Sequence, residues 1–301
     1  LDAQWCDDFH HALHVRLTGE QQGYYQDFED RRCLITAYRQ RFVYDWKYSP
    51  FRQRHHGSNA QDCPAQQFVV FSQNHDQVGN RLLGDRLSQL VSFEGLKLAA
   101  SAVLLSPYIP LLFMGEEYGE IQAFLYFVSH GDPQLNEAVR QGRKAEFADF
   151  YGPGSPPDPV SEQTFEQSKL NWALLNTNSH QVLFRYYQRL IQIRKQLAIG
   201  PASCQDSPLS CHESQGIIQI IGPGKQSLWL LLLNFEPSSI SLPSVALEPT
   251  PSGLTQYAWQ KQLDSASLEW GGSGREAPST IRLNASMTLA PFHTLLYQAI
   301  P

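Results

Sequence analysis

The sequence predicts an α/β chain, with parallel βα units over roughly the first two hundred residues and an antiparallel β-sandwich of about one hundred residues after them. Three observations carry this. Two short, unbroken apolar runs, 68–71 and 109–114, each end in polar or acidic residues and enclose a stretch of helical periodicity. Beyond Gly200-Pro201 the periodicity changes to short β-type runs separated by Gly, Pro, Ser and Asn. The composition suits a large core: 301 residues, 42% hydrophobic, 12% aromatic, with a formal charge of −6. That is too apolar for a disordered chain, and no apolar run approaches the roughly 20 residues of a membrane span. The mild acidic excess gives no footprint for nucleic acid or an anionic membrane.

Phe9, Leu13 and Leu17 stand four apart, with Ala12 and Arg16 alongside, and predict an amphipathic helix over 9–17. Residues 39–56 are basic, aromatic and interrupted by Pro50, and read as a solvated loop. Phe68-Val69-Val70-Phe71 reads as a strand buried on both faces that gives way to Ser72-Gln73-Asn74-His75-Asp76-Gln77. Leu96, Ala99, Ala100, Val103 and Leu104 mark a helix over 94–105, stopped at Ser106-Pro107. A second buried strand over 109–114 ends at Gly115-Glu116-Glu117. The Pro/Gly-rich stretch 149–161 reads as a loop. Leu183, Tyr186, Tyr187, Leu190, Ile193 and Leu197 then predict a long helix with Arg185, Arg189, Arg194 and Lys195 outside. Strands are expected at 217–221, 228–235, 240–242, 280–283 and 294–297. The division is placed at 1–199 and 200–301, with no internal repeat.

Cys6, Cys33, Cys63, Cys204 and Cys211 are odd in number, with no pair at the close spacing of zinc ribbons or redox motifs. A reducing compartment, the cytoplasm, is the expectation. The opening Leu1-Asp2-Ala3-Gln4-Trp5 lacks a basic segment followed by an apolar one, so no secretory signal is expected. The only methionines are Met114 and Met287, and the chain reads as a piece of a longer protein.

Asp76 is the sharpest candidate for chemistry. In parallel βα folds, ligands sit at the C-terminal ends of the strands, and Asn74, His75, Gln77 and Arg81 surround this carboxylate with donors. A carboxylate there can hold sugar hydroxyls, or stabilise the positive charge of an anomeric carbon as a glycosidic bond breaks. It can equally cap the following helix. Glu116 and Glu117 can supply a second carboxylate or simply open a helix. Asp7, Asp8, His10, His11 and His14 form a dense cluster in which His10 and His14 share one helical face. Substrate contact, helix packing and, given a third ligand, zinc remain open for it. Asn284-Ala285-Ser286 matches a glycosylation triplet, which means little without secretion. No nucleophile elbow and no phosphate-binding glycine loop is present.

The run Gln73-Asn74-His75-Asp76-Gln77-Val78-Gly79-Asn80-Arg81 resembles the seventh-strand region of the α-amylase superfamily, glycoside hydrolase family 13, and within it the malto-oligosyltrehalose trehalohydrolases. AQWCDDFHHALH at 3–14, FVYDWKYSPFRQRHHG at 42–57, IPLLFMGEEYGE at 109–120, FLYFVSH at 124–130, VRQGRKAEF at 139–147 and TFEQSKLNW at 164–172 are similar to the same family. Residues 200–301 resemble only the general C-terminal β-domain of such enzymes. The resemblance implies the last βα units of a (β/α)8 barrel, incomplete here, followed by an antiparallel β-sandwich. It implies that Asp76 is the transition-state stabiliser and that His75, Gln77, Arg81, Asp7, Asp8, His10, His11 and Glu116 lie at the sugar. Cys6 stands where a polar residue is expected. The nucleophilic Asp and the acid/base Glu of this superfamily belong to the fourth and fifth strands, upstream of this chain. The implied reaction is hydrolysis of the α-1,4 bond next to the terminal trehalose of malto-oligosyltrehalose, with no metal or cofactor. A glucan-binding piece without catalysis, and a glycogen branching enzyme, are the alternatives.

Overall fold

The structure, a computed structural model, describes residues 2–151, 156–201, 209–225, 227–243, 257–283 and 285–300. In chain order the first part comprises β1 (Gln4–Trp5), α1 (Asp7–Thr18), α2 (Arg32–Gln40), β2 (Asp45–Ser49), β3 (Arg54–Gly57), β4 (Phe68–Val70), α3 (His75–Gly79), α4 (Leu87–Leu90), α5 (Phe93–Leu104), β5 (Ile109–Pro110), α6 (Pro133–Tyr151), α7 (Glu162–Gln167) and α8 (Asn178–Gln196). Among the described residues the second part holds β6 (Ser210–Ser214), β7 (Ile217–Pro223), β8 (Leu228–Asn234), β9 (Ile240–Leu242), β10 (Ala258–Asp264), β11 (Thr280–Ile281), β12 (Met287–Leu289) and β13 (His293–Ile300), with one short 3-10 helix at Leu268–Trp270. Among the described residues no helix is long and apolar enough to cross a membrane.

β1, β4 and β5 form a parallel sheet in that order, with Trp5 opposite Val69 and Val69 opposite Ile109. Backbone bonds Cys6 N to Val69 O (2.8 Å) and Leu111 N to Val70 O (2.9 Å) carry the pairing one residue further, so the polar strand ends emerge side by side. α1 buries Phe9, Ala12 and Leu13 and ends where Gly19, at φ +74°, returns its N–H to Val15 O. α5 starts on Ser92, whose hydroxyl accepts from Gly95 N. α8 buries the apolar stripe seen in the sequence.

The second part holds a six-stranded antiparallel sheet, β11-β10-β13-β8-β7-β6, and a two-stranded β12-β9 sheet. Alternate residues of β7 and β8 enter different cores. Ile217, Ile221, Leu230 and Leu232 pack with Leu242, Met287 and Leu289 of the small sheet. Ile218, Ile220, Trp229, Leu231 and Leu233 join the core that contains α1, α2, α5 and α8. Burial on both faces is why β8 reads LWLLLL rather than as an alternating strand. Buried polar ties cross between the two parts: Lys97 Nζ donates to Ser265 O (2.7 Å) and Trp270 O (2.9 Å).

Several sequence expectations are corrected. Residues 45–57 are a hairpin, not a loop; it is fixed by the distant carboxylates of Asp8 and Asp27, which no local pattern reveals. α6 runs through Tyr151 into the stretch read as a loop, of which 152–155 lie outside the described residues. Its Asp132-Pro133 start is a readable helix signal, with Asp132 Oδ1 accepting from Gln134 N (2.8 Å), but it lacks a clear apolar stripe. Of the run 109–114 only Ile109–Pro110 forms a strand, and β6, β10 and β12 had no distinct signal. Cys204 and Asn284 lie outside the described residues; Cys6, Cys33, Cys63 and Cys211 are free thiols.

Candidate active site

The three parallel strands deliver Cys6-Asp7-Asp8, the 71–76 segment and the 111–117 segment to one edge of the sheet. At the end of the middle strand Asn74 caps α3, its Oδ1 accepting from Gln77 N at 2.8 Å. Asp76 is therefore not the cap. It stands exposed in the first helical turn, one oxygen accepting from Asn80 Nδ2 (2.9 Å) and the other without a protein hydrogen bond among the described residues. His75 is exposed beside it, edge-on to the half-exposed Trp5 ring at 5.7 Å. Gln77 bridges outward, its amide 3.4 Å from Asp7 Oδ1 and its carbonyl accepting from Tyr24 OH (3.2 Å). Partial burial, then the Asp76 charge, raise the Asp7 pKa. Asp7, His75, Asp76 and Gln77 thus share one open, acidic, aromatic-edged face.

The other expected site residues turn inward. Asp8 accepts from Val43 N (2.6 Å) and Tyr44 N (2.8 Å), and burial pushes its carboxyl up to about 6. His10 donates from Nδ1 to Ser72 O (2.9 Å), and burial drives its pKa well down, so the ring is neutral. His11 packs on Tyr24 and Phe28, and burial lowers it to about 3. Arg81 grips both oxygens of Glu20 at 2.8 Å, and Glu20 also pairs with His14 at 2.9 Å. Glu116 is enclosed beneath the sheet edge, accepting from Ser72 Oγ (3.2 Å), and burial raises its carboxyl to about 8. Held protonated at neutral pH, it brings no charge to the interior. Among the described residues no group of three His, Cys, Asp or Glu could hold a metal ion.

Sequence reasoning missed Glu20, Tyr24, Tyr25, Asp27 and Arg52. Tyr25 stacks on His14 at 4.5 Å, and the Arg52 charge acts on Asp7, Asp8 and His11. The Tyr24-Tyr25 doublet was the one local signal; the acids and Arg52 act through contacts distant in sequence.

An open carboxylate beside amide, imidazole and indole groups suits a polyhydroxylated ligand, and the unpaired oxygen of Asp76 can face a developing cation. No family model matches the chain. It is 48% identical over 200 residues to the malto-oligosyltrehalose trehalohydrolase of Saccharolobus solfataricus, covering 66% of this chain and 34% of that protein. It is 42% identical over 260 residues to that of Arthrobacter ramosus, covering 85% of this chain and 42% of that protein. The match lies in the C-terminal part of these proteins, and the chain spans about a third to two fifths of their length. Among solved structures, a putative alpha amylase from Salmonella typhimurium superposes with a TM-score of 0.79 at 33% identity, covering 99% of this chain and 47% of that one. A pullulanase from Anoxybacillus, at 14% identity and a TM-score of 0.57 over 99% of this chain and 34% of its own, shares the fold alone. The chain resembles the C-terminal part of malto-oligosyltrehalose trehalohydrolases, with the last βα units of an α-amylase-type barrel followed by an antiparallel β-domain.

Proposed function

We propose that this chain is the C-terminal part of a retaining α-glycosidase that hydrolyses the α-1,4 bond next to the terminal trehalose of malto-oligosyltrehalose and releases trehalose in the cytoplasm. Residues 1–199 close its barrel and 200–301 form its β-domain. The observation that carries the reading is the exposed Asp76 carboxylate at the C-terminal edge of the middle parallel strand, capped off from helix duty by Asn74. Asp76 stabilises the oxocarbenium-like transition state. His75, Gln77 and Asp7 hold sugar hydroxyls, while Asp8, His10, His11, Arg81 and Glu116 position those groups from beneath.

Double displacement needs a carboxylate nucleophile that bonds to the anomeric carbon, and an acid that protonates the departing glycosidic oxygen and then deprotonates the incoming water. Those two groups come from upstream strands of the longer polypeptide. The 301-residue chain by itself therefore releases no trehalose above a buffer control. In the longer enzyme, Asp76→Asn keeps the shape and one carbonyl acceptor but loses the charge, and turnover falls by roughly three orders of magnitude or more. Steady-state kinetics beside a thermal melt test this: near-normal turnover would remove Asp76 from the reaction.

A further inference from the structure

The β2–β3 hairpin is anchored on one side and bare on the other. Asp8 takes the Val43 and Tyr44 N–H groups. Asp27 takes the Tyr44 and Ser49 hydroxyls and the Phe51 N–H. Gly57, at φ +84°, lies so close under Tyr44 that a Cβ would sit 2.0 Å from its carbonyl oxygen. These ties fix the hairpin on two carboxylates buried below the sheet edge.

Its outer face carries three rings. Tyr48 and His55 are directly paired across the strands, edge to face at 5.7 Å, and Trp46 stacks on His55 at 5.8 Å with 20° between planes. Trp46 is 70% and Tyr48 47% exposed. Trp46 sits at the register shift between Asp45 and Lys47, at φ +72°, a conformation that glycine adopts freely and tryptophan does not. His55 Nδ1 donates to Trp46 O (2.9 Å), which holds the two rings together and leaves Nε2 as an outward acceptor.

We infer that Trp46, Tyr48 and His55 form a stacking platform for glucosyl units of an α-1,4-glucan, beyond the Asp76 site. The inference rests on the proposed glucan chemistry and places the platform next to that open face. The hairpin turn adjoins that site, since Phe51 meets Tyr24 at 6.1 Å and Tyr24 bonds Gln77. Tyr48 and Trp46 lie at most about 10 and about 17 Å along the strand from Phe51, the reach of a short oligosaccharide. Pyranose rings present C–H faces that stack on electron-rich ring faces, and His55 Nε2 and the Tyr48 hydroxyl can serve the hydroxyl rims. An aromatic platform would also suit single-stranded nucleic acid. The neighbouring acids Asp7 and Asp76 and the net charge of −6 oppose a phosphate chain.

Calorimetric titration of the 301-residue chain with maltoheptaose tests the platform, with cellohexaose and a deoxythymidine octamer as comparison ligands. The wild type should bind maltoheptaose at least tenfold more tightly than either. Trp46→Gly, which removes the ring and relaxes the backbone, should weaken binding tenfold or more with no fall in melting temperature. Trp46→Phe should stay within about threefold of wild type, and Tyr48→Ala should lose affinity by itself, which covers a glycine variant that fails to fold. No binding by the wild type, cellohexaose bound equally well, or preference for the octamer would overturn the inference. Equal binding by wild type and Trp46→Gly would also overturn it while leaving the Asp76 reading untouched, because that reading is decided by turnover in the longer enzyme.

Discussion

The two main sheets are completed in opposite ways. In the antiparallel sheet β6 turns into β7 through Gln215-Gly216, β7 turns into β8 after four residues, and the central β8 and β13 are buried almost throughout. In the parallel sheet each neighbour is reached through tens of residues, each ladder pairs only two residues, and the outer strands leave apolar side chains in water. Trp5 on one edge is 45% exposed, while Ile109, Leu112 and Met114 on and after the other are 37%, 38% and 45% exposed. Antiparallel strands find partners in adjacent sequence, whereas a parallel sheet depends on partners brought by long crossovers.

The largest consequence concerns association. Several hundred Å2 of uncovered sheet edge, at about 25 cal/mol per Å2, is worth on the order of 10 kcal/mol, as much as a domain's whole stability. The 301-residue chain should self-associate through this sheet. Sedimentation that showed a monodisperse monomer melting cooperatively would break the contrast between the sheets.

Core truncations come next. Trp229→Ala, inside the antiparallel sheet, should cost about 3–5 kcal/mol, whereas Ile109→Ala at the open parallel edge should cost under about 1 kcal/mol. Denaturant midpoints compare the two directly, and similar losses would show the parallel edge to be covered after all.

Glu116 sharpens the comparison through pH. Its folded pKa, near 8, lies above the ordinary 4.5, so the native state keeps a proton that the unfolded chain releases. Its contribution is whole below about pH 4.5 and is lost as pH rises through 8, by roughly a few kcal/mol. Glu116→Gln keeps the Ser72 bond without titrating, so the melting temperature of the variant should gain on wild type from pH 5 to 8. Parallel curves would mean that Glu116 is ionised in the fold.

The smallest effect separates cap from chemistry. Asn74→Ala removes the bond to Gln77 N and should cost about 1 kcal/mol, while Asp76→Asn should change stability by less than about 0.5 kcal/mol. A reversed order in thermal melts would return Asp76 to a structural role.

Much of the fold was legible because its signals are local. The α1, α5 and α8 stripes, the two polar-ended apolar runs and the strands at 217–221 and 228–235 are patterns of neighbouring residues, and all stand at or close to the expected positions. The hairpin and α6 escaped because one is fastened by Asp8 and Asp27 and the other buries no side chain over 133–145, the part of it whose burial is described. Within the candidate site, Asp76 at the strand end was readable from the run before it. The network of Arg81, Glu20, His14 and Tyr25 was not, since Arg81 reaches Glu20 from 61 residues away.

By itself the sequence determined the class of the fold, the change of architecture near residue 200, the placing of acids and amides at the ends of parallel strands, and the resemblance to glycoside hydrolase family 13. Tertiary structure alone decided which of those groups are exposed and which are enclosed. Asp7 and Asp8 are adjacent and chemically identical, yet Asp7 opens beside Asp76 while Asp8 is closed over by Val43 and Tyr44. One residue along a helix turns a side chain by about 100°, and the segment that covers it arrives from 35 residues away. Burial then sets the charge of Glu116, which is enclosed under the next strand and keeps its proton, while Asp76 stands exposed.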